Sequence, residues 1–352
     1  MKILYAIQGT GNGHISRARE IIPCLLKRAS VDILISGMHT ELKMTYPIRY
    51  EFKGLGYKFG KKGGVDYFNT WWHGDVPRFL NEVQSLNLSS YDLVINDFEP
   101  VSAWAARKQH IPCVGLSNQC TLLDPQILKP SSGRKKNKFA RYVLKNYAPV
   151  DYCYGFHYKN LHESIFSPII RQEIRELQIT QDDHYVAYLP FYHDRKIIKA
   201  LSHFRGQKWI VFSKHSKKYY RERNIDVLPI SDKRFTEELA AAKGVICGAG
   251  FGLTSETLFL GKKLLVIPMK NQFEQQCNAL SLSEMGVVVA DKLKPKWRST
   301  IQSWIDQDSS VRVNYPDQTQ DIVDKILGDF AKQIAVYHEG MQDYEKIFDK
   351  LK

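Results

Sequence analysis

Residues Gly244 to Pro268 read GVICGAGFGLTSETLFLGKKLLVIP, and the order of residue types in this stretch decides the fold. The short apolar run Val245 to Cys247 has the length and branching of a buried strand. It breaks into Gly248-Ala249-Gly250-Phe251-Gly252, a turn whose backbone can close tightly on whatever it faces. A helix is expected to open near Thr254, and Lys263 to Pro268 returns as a second apolar strand. Strand, turn, helix and strand in this compass form the repeating unit of a parallel sheet. The unpaired N–H groups at such a helix start offer themselves to an anion.

Outward from this stretch the same alternation continues. The first half predicts strands at KILYAI, VDILIS, YDLVIND, CVGLSN and VDYCYGF, with helices at 16–28, 74–86 and 101–110. The second half predicts strands at YVAYL, WIVFS, DVLPI, GVICG, KLLVIP and VVVA, with helices at 194–203, 236–242, 254–260 and 275–285. Two such runs predict an α/β protein with two Rossmann-like domains, their parallel sheets facing across a cleft. The expected divisions are a first domain at 1–168, a second at 169–325 and a helical tail at 326–352 that packs back on the first domain. Ligands of open parallel sheets bind beyond the carboxyl ends of the strands, where every glycine turn of this chain falls.

Bulk properties narrow the classes of function. No apolar run among the 352 residues approaches the length of a membrane span, and the N-terminus reads as a strand rather than a signal peptide. The six cysteines show no CxxC pairing, so neither a zinc site nor a disulfide framework is expected, and a reducing cytoplasm fits. Fifty Lys and Arg against 37 Asp and Glu give a net charge of +13, which favours anionic partners. Residues 127–145, ILKPSSGRKKNKFARYVLK, hold seven basic residues and no acid. Phe139, Tyr142, Val143 and Leu144 are expected to share a helix face there. The segment is open to two readings, a solvated basic helix or a peripheral contact with an anionic membrane. No nucleic-acid module is visible.

The N-terminal stretch QGTGNGHISRARE leaves a strand through Gly9, Gly11, Asn12 and Gly13 and places His14 at a helix start. Positive potential at a helix N-terminus favours neutral imidazole, which can accept a proton. Asp97, at the end of YDLVIND, is the candidate partner that orients the ring, with Glu99 a weaker one. The run is not the G-x-G-x-x-G of a dinucleotide site, and Asp32 opens its strand instead of closing it. Farther along, Glu256 either complements a helix dipole or accepts from ribose hydroxyls. Glu274 and Gln275 either cap a helix or meet sugar hydroxyls. The lone Asp306-Gln307-Asp308 triplet lies far from both turns, and no ligand set for a metal is expected.

GAGFGLTSETLFLGKKLLVIPMKNQFEQQCNA resembles the donor-site signature of GT-B glycosyltransferases that use nucleotide-diphosphate sugars. That group includes the N-acetylglucosaminyltransferase of peptidoglycan synthesis, the glycolipid synthases and the plant glucosyltransferases. GTGNGHISRA resembles the acceptor-side glycine loop of the same family. The resemblance implies a metal-independent inverting transfer, with no cofactor beyond a uridine-linked nucleotide-diphosphate sugar, and an unidentified hydroxyl acceptor, lipid-linked or soluble. It implies that Glu256 binds ribose, Glu274 and Gln275 the donor sugar, and Gly248, Gly250, Phe251, Gly252 and Thr254 the diphosphate. The base is expected near Phe212-Ser213 and Leu228 to Ile230, and His14 with Asp97 is implied as the catalytic base pair. The glycine turn lacks the aromatic or histidine-rich motif of the plant enzymes. A nucleotide-sugar 2-epimerase and a non-catalytic nucleotide-sugar binding protein are the rival readings.

Overall fold

A computed structural model describes residues 1–37, 44–55, 75–131 and 134–332. Residues 333–352 of the expected tail, and the start of the helix expected from Gly74, lie outside the described residues. The first sheet comprises β1 (Lys2–Gln8), β2 (Ser30–Ser36), β3 (Tyr50–Phe52), β4 (Leu93–Asp97), β5 (Cys113–Leu116), β6 (Tyr152–Phe156) and β7 (Ile165–Phe166). Its order is β3-β2-β1-β4-β5-β6-β7, and every pairing is parallel. The second comprises β8 (His184–Tyr188), β9 (Lys208–Ser213), β10 (Tyr220–Glu222), β11 (Ile225–Pro229), β12 (Gly244–Cys247), β13 (Lys263–Val266) and β14 (Val288–Val289). Here the order is β10-β11-β9-β8-β12-β13-β14, parallel except where β10 joins β11.

Helices α1 (Asn12–Leu26), α2 (Val76–Ser85), α3 (Pro100–Gln109), α4 (Asn118–Leu123) and α5 (Arg134–Tyr147) belong to the first domain. The short α6 (Gln172–Arg175) lies in the connection. Helices α7 (Asp194–Leu201), α8 (Asp232–Ala241), α9 (Phe251–Phe259), α10 (Phe273–Glu284) and α11 (Arg298–Asp306) belong to the second. A last helix, 319–332, follows. Ile3 to Ile7 of β1 are all fully buried, as expected of a parallel strand covered on both faces.

Several expectations are corrected. Helix α1 begins at Asn12 instead of Ser16, because Gly11 at φ 97° turns the chain straight into it. Helix α9 begins at Phe251 instead of Thr254, with Gly250 as its first flanking residue. The apolar residues of α5 do not share one face: Leu144 is buried with Ala140 and Tyr147, whereas Phe139 and Tyr142 are exposed. Cys120 and Cys153 form a disulfide with a Cα separation of 5.4 Å, although the sequence shows no pairing signal. The other four cysteines are free and buried.

The two domains meet through side chains at the carboxyl edges of both sheets. Tyr158 Oη lies 2.7 Å from Thr254 Oγ1, and His157 Nε2 lies 3.0 Å from Ser281 Oγ. Phe273 and Cys277 of α10 join the apolar cluster of the first domain. The 319–332 helix crosses back to that domain, burying Ile322, Val323, Ile326 and Phe330. Arg28 at the end of α1 donates to both Asp324 oxygens at 2.8 and 2.7 Å, and Tyr154 Oη donates to Asp329 at 2.7 Å.

Candidate active site

In the register of β1 with β4, Ile7 stands opposite Asp97, so the loop leaving β1 and the end of β4 emerge side by side. Strand order reverses at this point, where open parallel sheets place their ligands. His14 Nδ1 sits 2.8 Å from Asp97 Oδ1, and the Asp97 side chain is fully buried behind it. Arg17, three residues on along the same helix face, donates Nη2 to both Asp97 oxygens at 2.5 and 2.7 Å and Nε to Oδ2 at 3.2 Å. Burial pushes the Asp97 carboxyl up, but Arg17 and then His14 outweigh it and hold it below the usual carboxylate range. An ionised carboxylate only accepts, which assigns a ring proton to Nδ1, so the neutral ring carries its lone pair on Nε2.

Arg17 escaped the sequence reading, and its i+3 spacing from His14 is the signal once the helix start is fixed. Glu99 does not serve His14. Its buried carboxylate caps α3, accepting from the N–H groups of Val101 and Ser102 at 2.7 and 2.6 Å and from Ser36 Oγ at 2.5 Å.

On the donor side, Cys247 pairs with Tyr188, so Gly248 leaves the second sheet beside the end of β8. No side chain caps α9, and its first N–H groups stay open. A Cβ placed on Gly250 or Gly252 would meet nothing within 4 Å, so the turn borders open space. Thr254 is a correction: it is fully buried, and Oγ1 bonds the Gly250 and Phe251 carbonyls of the turn and Tyr158 across the domain contact, so its hydroxyl does not open into the cavity.

Glu256 is held by Arg171 through two hydrogen bonds of 2.6 and 2.9 Å. The Glu274 carboxylate reaches across the cleft to Asn118 Nδ2 at 3.0 Å and Gln119 Nε2 at 3.2 Å. Gln275 accepts from the Met269 N–H at 2.9 Å, and its own N–H bonds the Gln272 side chain.

These groups surround a cavity of about 480 Å³ between the sheets. Gly11, Asn12, Gly13 and His14 line it from the first domain. Gly248, Gly250, Phe251, Gly252, Glu256, Glu274 and Gln275 line it from the second. Gly9 does not line it; a Cβ there would stand 2.9 Å from Ile35, so this glycine serves the contact with β2. The expected base contact at Phe212-Ser213 is also corrected. Phe212 is core, and Ser213 Oγ donates to Asp194. Ile230, within the expected Leu228 to Ile230, lines that side together with Tyr188, Phe191, Lys214 and Phe235. Tyr188 and Lys214, which were not expected, stand at or just after strand ends, which is the signal that would have found them.

Among the described residues, no three His, Cys, Asp or Glu side chains converge as a set for a metal, and no helix is long and apolar enough to cross a membrane.

The comparisons agree with this architecture. The model of the family described as Glycosyl transferase family 1 matches residues 1–305. No curated protein matches the chain. MurG of Acinetobacter baumannii is similar in structure with a TM-score of 0.56 at 16% identity, over 93% of this chain and 99% of that one. UGT2 of Phytolacca americana, complexed with UDP-2fluoro-glucose and pterostilbene, gives 0.55 at 13% identity over 94% and 99%. LpCGTa in complex with UDP gives 0.59 at 11% identity over 94% and 99%. Identities this low speak for the fold, which is the two-domain GT-B architecture. The family match spans most of the length and includes both glycine turns, and the chain belongs to glycosyl transferase family 1.

Proposed function

We propose that this protein transfers a sugar, with inversion and without a metal cofactor, from a uridine-diphosphate donor to a hydroxyl acceptor. The observation that carries the reading is the His14–Asp97–Arg17 cluster facing the uncapped start of α9 across one cavity. The acceptor hydroxyl gives its proton to His14 Nε2 as its oxygen attacks the anomeric carbon. The bond from that carbon to the diphosphate breaks on the opposite face, and the diphosphate leaves with the electron pair. The N–H groups and dipole of α9 meet the departing charge in place of a cation. Asp97 then stabilises the imidazolium, and Arg17 keeps that carboxylate ionised and fixed.

Glu256 accepts from the ribose hydroxyls once Arg171 shares or yields it, and Glu274 with Gln275 meets the donor sugar. UDP in two of the solved relatives supports the choice of nucleotide. The four free buried cysteines fit the cytoplasm, with the Cys120–Cys153 pair as the exception. A peripheral contact with an anionic bilayer through 127–145 belongs to the same reading, since Phe139 and Tyr142 are exposed beside Lys138 and Lys145.

The test is a thermal-shift panel of UDP, UDP-sugars, GDP, TDP and NAD, followed by transfer assays on His14→Ala. UDP compounds at about a hundred times their dissociation constant add roughly 2.7 kcal/mol, several degrees of melting temperature. His14→Ala should keep this shift and lose transfer by about a hundredfold or more. A response to NAD alone, or a folded His14→Ala protein of full activity, sinks the reading.

A further inference from the structure

A second cavity, of about 530 Å³, lies within the first domain beneath α5. It shares Phe98, Gln119 and Leu144 with the cavity between the domains, so the two spaces adjoin at these side chains. Lys138, Arg141 and Lys145 of α5 form its basic side, and none of the three has an acidic partner among the described residues. The Arg141 guanidinium donates once, from Nη2 to the Leu123 carbonyl at 3.0 Å, while its Nε is buried without an acceptor. Nearby Asp124 is engaged by His162 at 2.8 Å. Burial and then the nearby Arg141 push the Lys129 ammonium down, against a smaller opposing pull from Asp124.

The remaining wall is largely apolar, with Leu123, Tyr142, Leu144 and Val150 beside the Cys120–Cys153 pair. At the junction of the cavities Gln119 donates Nε2 to Glu274, while its Oε1 is buried with no donor.

Unpaired cations around an apolar space call for an anion attached to hydrocarbon, because either part alone leaves the other surface unsatisfied. The vacant oxygen of Gln119 calls for a hydroxyl. We propose that this cavity seats the acceptor, and that the acceptor is an anionic amphiphile. Its phosphate or carboxylate meets Lys138, Arg141 and Lys145, its apolar body lies against Leu123 and Val150, and its hydroxyl passes Gln119 toward His14. This assignment rests on the glycosyl-transfer reading, because it makes the ligand the acceptor. The donor diphosphate has its own place at α9, so the two anion sites are separate.

The experiment is calorimetric titration of the full chain with dodecyl phosphate below its micellar concentration. Dodecyl maltoside, inorganic phosphate and phosphatidylcholine vesicles carrying phosphatidate serve as parallel arms, with UDP titrated separately. Dodecyl phosphate should bind at least about tenfold more tightly than either the maltoside or inorganic phosphate. The exposed-lysine variant Lys138→Gln/Lys145→Gln should lose about tenfold of that affinity with UDP binding unchanged. Equal affinity for the maltoside, an unaffected double variant, or binding to vesicles without binding to monomeric dodecyl phosphate would each overturn the cavity site. Dodecyl phosphate binding in a protein that ignores UDP would keep the anion cavity but overturn its role as acceptor seat, since the transfer reading would have failed.

Discussion

His14 and Asp97 stand 83 residues apart, yet their meeting follows from two adjacent parallel strands that end together. That much was legible, because the end of YDLVIND and the turn after KILYAI both had to lie at the carboxyl edge. Arg17 was not legible while α1 was expected to start at Ser16, since its face depends on where the helix begins. Thr254 depends on the same boundary: with the helix starting at Phe251 its hydroxyl lies inside the first turn, bonded to the Gly250 carbonyl and to Tyr158. The glycines of the donor turn make a sharper prediction. Gly252 has room for a Cβ and lies inside α9, so Gly252→Ala should leave stability unchanged or raise it by up to about 1 kcal/mol. The added methyl takes space the diphosphate needs, so UDP affinity should fall by about tenfold or more. Melting curves and UDP titration of one preparation check both halves. Unchanged UDP binding would separate this turn from the phosphate.

Helix α4 gathers more roles than its six residues announce. Its first residues hold Glu274 of the opposite domain, Gln119 divides the two cavities, and Cys120 ties it to β6. Nothing in the spacing of Cys120 and Cys153 signals a pair, because the strand order that joins β5 to β6 has to be known first. Closing a loop of sequence separation 33 stabilises by about 3–4 kcal/mol in the chain-entropy model. Melting should therefore fall by several degrees in dithiothreitol, while Cys153→Ser should melt lower and ignore the reductant. Scanning calorimetry in matched buffers checks this, and identical wild-type curves would show that the thiols stay unpaired. Short elements such as β3, β7 and β10 also escaped the sequence reading, for they add edges to sheets whose centres carry the apolar signal.

At the scale of the molecule, the alternation of apolar runs and helices was enough to give two parallel sheets and a cleft. It said little about how the domains hold one another, which combines apolar contacts such as Phe273 and Cys277 with single polar ones. His157 is one of these, buried against Ser281, and burial pushes its imidazole below the ordinary range. A depressed folded value means that the fold favours the neutral ring. Its contribution is complete above about pH 6.5, the ordinary imidazole value, and is lost as pH falls from there through the depressed folded value. Stability from about pH 7.5 down to about pH 5.5 should therefore drop less in His157→Gln than in the wild type. Denaturant titrations at each pH check this, and parallel curves would remove His157 from the acid response. The return of the 319–332 helix to the first domain has a consequence for how the chain is made. As the chain leaves the ribosome, the first sheet emerges before the second, but the apolar surface that receives Ile322, Val323, Ile326 and Phe330 stays wet until those residues follow. The half synthesised first is therefore the half completed last. Until then it is the part of a nascent chain with most to gain from a chaperone.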